Sequence, residues 1–349
     1  MQLATMATKA AEQVSLPDYL TRYGVSTLVA RTQRRLAHAD PEYTRRFASE
    51  MQGLPVAAYV ADANAQHYEV PARFFELTLG PQRKYSCCYY ATPEATLAQA
   101  EESALVATAL RADLSDGQDI LDLGCGWGSL SLWMARRFPQ SRILAVSNSS
   151  SQRQFIEGEA SALGLQNLQV VTADMNAFDP RRTFDRIVSV EMFEHMSNWR
   201  ALLRRMRCWL KPEGLAFVHV FAHRATPYRF DHADAADWIA QHFFTGGIMP
   251  SRSLMHEFSD LFEVECDWWW PGTHYARTAD GWLCNFDANR ERIRDVLQGT
   301  YGDATSVWMR RWRLFFLATS GLFGHAGGHE WGVAHYRLRP QRLRLSRPE

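Results

Sequence analysis

The fold is decided by the stretch Leu121-Asp122-Leu123-Gly124-Cys125-Gly126-Trp127-Gly128. An apolar strand runs there into three alternate glycines, and such glycines let the backbone approach a ligand closely at a strand-to-helix turn. A dinucleotide-binding turn would space its last two glycines three residues apart and carry an acid about 20 positions later. Here Gly126 and Gly128 are two apart, and the second strand is expected to end in Ser147-Asn148. The motif therefore predicts a nucleotide-type site and disfavours NAD.

Outward from this turn, short apolar runs alternate with helical segments, a pattern typical of a parallel sheet. Strands are expected at 120–123, 143–147, 168–172, 186–190 and 215–221, and helices at 129–138, 151–163 and 199–210. Two later apolar runs, 262–270 and 331–338, predict strands that return to close the sheet. The expected fold is α/β: a doubly wound, Rossmann-like, seven-stranded and mostly parallel sheet with N-terminal helices and a helical cap.

The same patterns divide the chain into four expected regions. Residues 1–115 form an N-terminal helical region and 116–225 the nucleotide-binding core. Residues 226–338 form the helical cap with the last strands of the sheet. Residues 339–349 are expected to be a basic tail.

Composition limits the classes of partner. The 349 residues carry 38 basic and 38 acidic side chains, so the formal charge is zero, and no global field favours nucleic acid or an anionic membrane. The six cysteines lack CxxC or zinc-like spacing, and no signal peptide or membrane-spanning run is evident. We expect a cytoplasmic protein with a small-molecule partner, without a metal, nucleic-acid partner or stable membrane insertion, and compatible with a homodimer.

The acid before the glycines points to the kind of ligand. A phosphate cradle disfavours a fixed negative charge, whereas the Asp122 carboxylate suits the ammonium of an amino acid. A ligand with a cationic amino-acid end and an adenosine end fits best, so we expect S-adenosylmethionine. Asp174 and Met175 follow the third strand and are assigned to the adenine, although Asp174 also suits an ordinary loop cap. The expected cofactor set is Tyr85, Ser86, Asp122, Gly124, Gly126, Asn148, Gln152, Asp174 and Met175, with Asn148 and Gln152 at the ribose unless they only cap a helix.

The fourth strand is followed by Glu191-Met192-Phe193-Glu194-His195-Met196, at the same edge of the sheet. Two carboxylates and an imidazole are costly to bury without partners, so a functional role is favoured. We expect Glu194 and His195 to form an acid/base pair. Glu191 is expected to orient that pair or the cofactor, with a purely structural role as the alternative.

At these residues the sequence resembles the cyclopropane fatty acid synthase superfamily, and within it the coclaurine N-methyltransferase-like branch. The resemblance rests on EMFEHM (191–196), LDLGCGWG (121–128) and KPEGLAFVHVFAH (211–223). The branch is carried further by segments 66–90, 243–251, 274–289 and 327–336 and by Arg311-Trp312-Arg313. The resemblance implies a class I methyltransferase that methylates the nitrogen of a bulky aromatic, tetrahydroisoquinoline-like amine, with Glu194 and His195 as its acid/base pair. It also implies that Glu76 holds the substrate ammonium, unless Glu76 is a helical surface residue.

The superfamily leaves a lipid alternative open. Its cyclopropane synthases transfer a methylene or methyl group to an unsaturated acyl chain and hold a bicarbonate ion as base. The resemblance places the corresponding ligands at Cys87, Glu194, His219 and Tyr275. Bicarbonate is thus a second candidate cofactor, although Cys87 and His219 are also ordinary core residues.

Aromatic side chains crowd the expected cap. Most should be core, because aromatics dominate core burial. A subset that includes Tyr275, Phe323 and Trp331 is expected to line the substrate pocket, where aromatic faces attract an ammonium or a sulfonium. The cap aromatics considered are Trp268, Trp269, Trp270, Tyr275, Trp282, Trp312, Phe323 and Trp331.

Overall fold

The structure, a computed structural model, describes residues 12–341 apart from 15, 38–39, 41, 59–69 and 235–236. Residues 342–349 of the expected basic tail and 1–11 of the expected N-terminal region lie outside the described residues. The helices of the described part are α1 (Asp18–Leu36), α2 (Tyr43–Glu50), α3 (Ala72–Thr78), α4 (Leu97–Arg111), α5 (Ser129–Arg137), α6 (Ser150–Ala162), α7 (Trp199–Trp209), α8 (Trp238–His242), α9 (Thr273–Ala288), α10 (Arg290–Tyr301) and α11 (Thr305–Gly324). The strands are β1 (Asp119–Leu123), β2 (Arg142–Ser147), β3 (Leu168–Thr172), β4 (Phe184–Val190), β5 (Leu210–His223), β6 (Tyr228–Arg229), β7 (Ile248–Met249), β8 (Phe262–Pro271) and β9 (Trp331–Pro340).

Seven strands form one sheet in the order β3-β2-β1-β4-β5-β9-β8. The first four pairings are parallel, and β9 runs antiparallel to both of its neighbours. The expected α/β fold, with a doubly wound, mostly parallel seven-stranded sheet, is therefore confirmed, and β8 and β9 are the two strands that return to close it. Strand order reverses around β1, and open sheets bind ligands at the carboxyl ends of the strands beside such a reversal.

The position of β1 in the centre of the sheet follows from its residues. All five are buried, as expected for a parallel strand covered by helices on both faces. Ile120 packs with α4 and α5 residues on one face, whereas Leu121 and Leu123 join the large core on the other. The turn after β1 is consequently held in place from both sides of the sheet.

The cap lies over this edge of the sheet. The β6–β7 hairpin and helices α8 to α11 form it, and α11 packs along both α9 and α1. Helix α4, which contributes Leu105 and Thr108 to a cavity described below, lies within the expected N-terminal helical region, although its bounds were not predicted. No helix in the described part of the chain is long and apolar enough to cross a membrane.

Candidate active site

Of the three glycines in the turn after β1, one has free space where a side chain would lie and two do not. Gly124 has a φ of +80°, and a Cβ built on it would lie 2.5 Å from Met192 Cγ. A Cβ on Gly128 would lie 2.6 Å from Ile156 Cγ1. A Cβ on Gly126, whose φ is +53°, would meet nothing within 4 Å. Gly124 and Gly128 are thus required by protein packing, whereas Gly126 leaves space at a cavity wall.

Two cavities open beside this turn and share part of their lining. The polar cavity follows β1, β2 and β3 and is lined by Asn148, Asp174 and Met175 among others. The aromatic cavity reaches from Asp122 to the underside of the cap. The residues that line both are Gly124, Gly126, Gln152, Glu191 and His195. Ligands in the two cavities would therefore meet at Glu191 and His195.

The polar groups of the expected cofactor set fit S-adenosylmethionine. Asp122 is buried at the cavity wall, where Ser131 Oγ donates to its Oδ2 over 2.5 Å, and burial raises the pKa of this carboxyl to about 6. Ser147 Oγ donates to Gln152 Oε1 over 2.6 Å, which orients that buried amide beside the glycines. The Asp122 carboxylate suits an ammonium, and the polar cavity offers amide and carboxylate groups to a nucleoside.

Asp174 lies at the polar cavity but is also bound locally. Its Oδ1 accepts hydrogen bonds from the Asn176 backbone N–H and side-chain amide, at 2.8 and 3.0 Å. The loop-cap role that the sequence left open is thus present, and both of these hydrogen bonds use one oxygen of the carboxylate, Oδ1. Met175 and Asn148 line the same cavity.

Tyr85 and Ser86 line the aromatic cavity, together with Lys84, which the sequence analysis missed. Lys84 is 3% exposed, and its Nζ donates to Ser86 Oγ over 2.5 Å and to the Cys87 carbonyl over 2.6 Å. Its backbone N–H donates to the buried Glu101 of α4. The segment before Cys87 is therefore fixed from inside the protein by a buried ammonium.

Glu191 is the most extensively bound carboxylate of the site. Its Oε1 accepts a hydrogen bond from the Cys87 backbone N–H at 2.8 Å and lies 3.1 Å from His219 Nε2, and its Oε2 accepts from the Tyr275 hydroxyl at 2.6 Å. Its φ of +49° is a left-handed conformation that costs free energy in a residue with a side chain. Burial raises the pKa of Glu191, and the nearby Lys84 ammonium opposes that rise.

Glu194, in contrast, lies behind the cavity lining. Its Oε1 accepts from the Phe221 backbone N–H at 2.7 Å, and its Oε2 has no hydrogen-bond partner among the described residues. Burial and the neighbouring Glu191 carboxylate raise the pKa of Glu194 well above its usual range. His195 lines both cavities, and its ring centroid lies 4.5 Å from that of Phe244. The structure therefore brings Glu191, rather than Glu194, to the cavity beside His195.

The position of Glu191 also bears on the expected bicarbonate site. The Cys87 backbone, His219 and Tyr275 do converge, but on the Glu191 carboxylate. Glu194, the fourth expected ligand, is bound to a backbone N–H elsewhere. The expectation of bicarbonate is not supported, because a carboxylate of the protein already takes the donors assigned to the ion.

The end of the aromatic cavity below the cap is lined by rings from several distant segments. Tyr275 and Phe323 stack on one another at 4.3 Å between centroids, and both line the cavity, as does Trp282. The remaining rings of this end are Phe221, Phe230, Phe244 and Phe315.

Two residues expected in the pocket lie outside it. Glu76 pairs with Arg73 at 2.6 Å and lines neither cavity, because α3 buries Phe74, Phe75 and Leu77 and leaves Glu76 on its outer face. Trp331 is fully buried in the core, where its Nε1 donates to the Tyr228 hydroxyl.

Comparison with known proteins identifies the family. The family model described as mycolic acid cyclopropane synthetase matches residues 58–326. (S)-Coclaurine N-methyltransferases from Thalictrum flavum subsp. glaucum and Papaver somniferum are 37% and 33% identical, each over 82% of this chain and over 80% and 82% of their own length. The cyclopropane-fatty-acyl-phospholipid synthase of Escherichia coli is 27% identical over 95% of this chain and 82% of its own.

Solved structures agree with that grouping. A coclaurine N-methyltransferase bound to N-methylheliamine and SAH superimposes with a TM-score of 0.91 at 32% identity, covering 95% of this chain and 98% of the other. The mycolic acid cyclopropane synthase CmaA1 with SAH and CTAB, at 23% identity and a TM-score of 0.68 over 82% of this chain and 99% of its own, shares the fold. The chain belongs to the mycolic acid cyclopropane synthetase family, within its coclaurine N-methyltransferase-like branch of S-adenosylmethionine-dependent methyltransferases.

Proposed function

We propose that the chain transfers a methyl group from S-adenosylmethionine to the nitrogen of a bulky aromatic amine of the tetrahydroisoquinoline type. One observation carries the proposal: Glu191 and His195 lie where the polar cavity meets the aromatic cavity. Methyl donor and amine would meet at that junction. When bound, S-adenosylmethionine supplies an electrophilic methyl group on a positively charged sulfur.

The rings of the aromatic cavity suit an aromatic amine in two ways. Their faces offer apolar area to a fused ring system, and a protonated nitrogen above a ring is stabilised by about 0.5–2 kcal/mol. The relatives above 30% identity include coclaurine, pavine and tetrahydroprotoberberine N-methyltransferases. The structural neighbour at a TM-score of 0.91 holds N-methylheliamine. These names agree on an alkaloid-type amine.

Amine methylation requires a group that takes a proton. An alkyl amine has a pKa of about 10, close to that of lysine, and is a nucleophile only in its neutral form. Glu191 and His195 are the acid/base candidates that line both cavities, and this supports them over Glu194, which lines neither. We assign proton removal to His195 with Glu191, and assign Glu194 to holding the Phe221 backbone.

Cyclopropanation of an acyl chain is the weaker alternative. It needs a base that removes a hydrogen from the transferred methyl group, and the groups expected to hold a bicarbonate base hold Glu191 instead. Nitrogen methylation moves the methyl group intact and has no such requirement.

The two chemistries differ in the fate of the methyl hydrogens. The purified protein is incubated with cofactor that bears a trideuterated methyl group, once with a panel of tetrahydroisoquinolines and once with vesicles of unsaturated phospholipid. We expect an N-methyl amine that keeps all three deuterium atoms, at a rate that added bicarbonate does not change. An acyl product that has lost one deuterium, with no amine accepted, would overturn the proposal.

A further inference from the structure

The imidazole that contacts Glu191 is itself stacked on a second buried histidine. His219 on β5 and His335 on β9 are cross-strand partners, and their ring centroids lie 4.5 Å apart at an interplanar angle of 29°. Both side chains are fully buried, and Trp270 packs edge-on against both. His219 Nδ1 and His335 Nε2 have no hydrogen-bond partner among the described residues.

A positive charge lies at the far side of this pair. Arg111, the last residue of α4, contacts His335 Nδ1 through its Nη1. Because a guanidinium only donates, His335 Nδ1 accepts, and His335 is neutral with its proton on Nε2. The guanidinium also lies 5.1 and 5.2 Å from the ring centroids of Trp268 and Trp270, which limits its freedom to move away.

We propose that Arg111, acting through His335, is a positioning residue that keeps His219 in the neutral form whose Nε2–H donates to Glu191. A second positive charge on His219 would lie one ring away from the guanidinium in a water-poor interior, where like charges repel strongly. Burial and the charges of Lys84 and Arg111 lower the pKa of His219 well below its usual value. The titratable or charged groups around the His219–Glu191 pair are Lys84, Cys87, Arg111, Glu194, Tyr275 and His335.

The consequence for catalysis rests on the role proposed for Glu191. A protonated His219 would form an ion pair with Glu191, stabilise the carboxylate and make it a weaker proton acceptor. A neutral His219 holds the carboxylate by one hydrogen bond and adds no further positive charge beside it. The remote arginine would thus maintain the basicity of the site without touching substrate or cofactor.

The protonation state of His219 can be read without any substrate. The protein is labelled with ¹⁵N-histidine, and the His219 signals are assigned with a His219→Gln variant. In the unsubstituted protein we expect His219 to stay neutral and Nε2-protonated from pH 5.5 to 9. In Arg111→Met we expect the pKa of His219 to rise, because one of the positive charges that oppose its protonation is gone, so at the acidic end of this range its signals should move toward those of the protonated form.

Kinetics supply the second readout. In Arg111→Met the acidic limb of the kcat profile should move to higher pH, with KM for the amine and cofactor affinity little changed. Arg111→Lys, which keeps the charge, should largely restore the profile. His335→Phe, which keeps a stacked ring but loses the acceptor that holds Arg111, should move the profile in the same direction by less, because the guanidinium still lies over Trp268 and Trp270.

Arg277→Met is the matched control. Arg277 lies 3.9 Å above the Tyr90 ring and donates to backbone carbonyls, so its loss removes a comparable stacked guanidinium that makes no contact with His335. A His219 signal and a pH profile in Arg111→Met that match this control would overturn the inference. A shifted His219 signal in a protein that methylates no amine would refute the proposed function and leave the Arg111 effect standing.

Discussion

The polar cavity and the aromatic cavity are assembled in different ways. The polar cavity is built almost entirely from the turns after β1, β2, β3 and β4, within residues 124–196. The aromatic cavity collects segments as distant as 83–86, 105–108, 221–249 and 315–323. Apart from Tyr85 and Ser86, the residues assigned to the cofactor thus lie on neighbouring loops of the sheet, whereas the rest of the aromatic cavity is formed by residues that only the tertiary fold brings together. The comparison predicts that substitutions will separate cofactor binding from acceptor binding.

The largest effect is expected at Gly126, on the cofactor side. Gly126→Val places a branched side chain in space that the protein leaves open, and we expect cofactor affinity to fall at least 100-fold, or about 2.8 kcal/mol. Gly164→Val is the matched control, because Gly164 also has a positive φ, +69°, and no atom within 4 Å of a built Cβ, but lies outside both cavities. Calorimetry and thermal denaturation of both variants measure affinity and stability. Equal affinity in the two variants would contradict the assignment of Gly126 to the cofactor.

The next effect concerns the junction of the cavities. Glu191→Gln and His195→Ala should each lower kcat by about 100-fold or more, the usual scale of acid/base assistance. Glu194→Gln should cost much less, because Glu194 lines neither cavity and a glutamine oxygen can still accept from the Phe221 N–H. Steady-state kinetics at neutral pH measure kcat for the three variants and so test this ranking. A Glu194 variant as impaired as the Glu191 variant would return the acid/base role to Glu194.

Glu191 and Glu194 also show which features of the site could be predicted from the sequence and which could not. The sheet and its glycine turn follow from local patterns, since strand period and glycine spacing are read directly from the chain. Glu191 and Glu194 are only three residues apart, and the backbone decides between them: Glu191 has a positive φ, and Glu194 lies in the short 3₁₀ turn Phe193–His195. No periodicity in the sequence predicts which of these two side chains the backbone directs toward the cavity.

The burial of Lys84, and the choice between the two roles considered for Glu76, depend on tertiary packing. A buried lysine that donates to a backbone carbonyl has no sequence signature, because its acceptor could be any residue. Glu76 is adjacent to buried Phe75 and Leu77 in α3, and only the packing of that helix shows which face meets the cavity. The missing information is tertiary in both cases.

The next effect, about tenfold, is expected in the pH dependence of cofactor affinity. Burial raises the pKa of Asp122 to about 6, so the carboxylate is ionised above that pH and protonated below it. Affinity for a cationic amino-acid group should therefore fall about tenfold from pH 7 to pH 5, because about nine tenths of the carboxyl is ionised at pH 7 and about one tenth at pH 5. Calorimetric titration with cofactor across this range measures the fall.

The stability of the cofactor-free protein should change in the opposite direction. The folded-state pKa of Asp122 exceeds the unfolded value of about 3.9, so its contribution to stability is full at low pH and is lost as pH rises toward 6. In Asp122→Asn both dependences should flatten. A cofactor affinity that falls equally with pH in Asp122→Asn would assign the titration to another group.

The smallest effect is expected on the acceptor side, at Phe230. This ring lines the aromatic cavity and packs against Phe244 at 4.9 Å between centroids. Phe230→Leu keeps apolar volume but removes a π face, which is worth about 0.5–1 kcal/mol for a partly exposed cation and corresponds to a two- to fivefold rise in the dissociation constant of a protonated amine. A neutral carbon analogue of the amine, used as an inhibitor, should bind the variant almost unchanged, because it has no charge for the ring to attract. Phe138→Leu, which removes a ring that lines neither cavity, controls for general loss of an aromatic contact. If amine and neutral analogue weaken by the same factor in Phe230→Leu, the ring provides only apolar contact, and the aromatic cavity selects its acceptor by shape instead of charge.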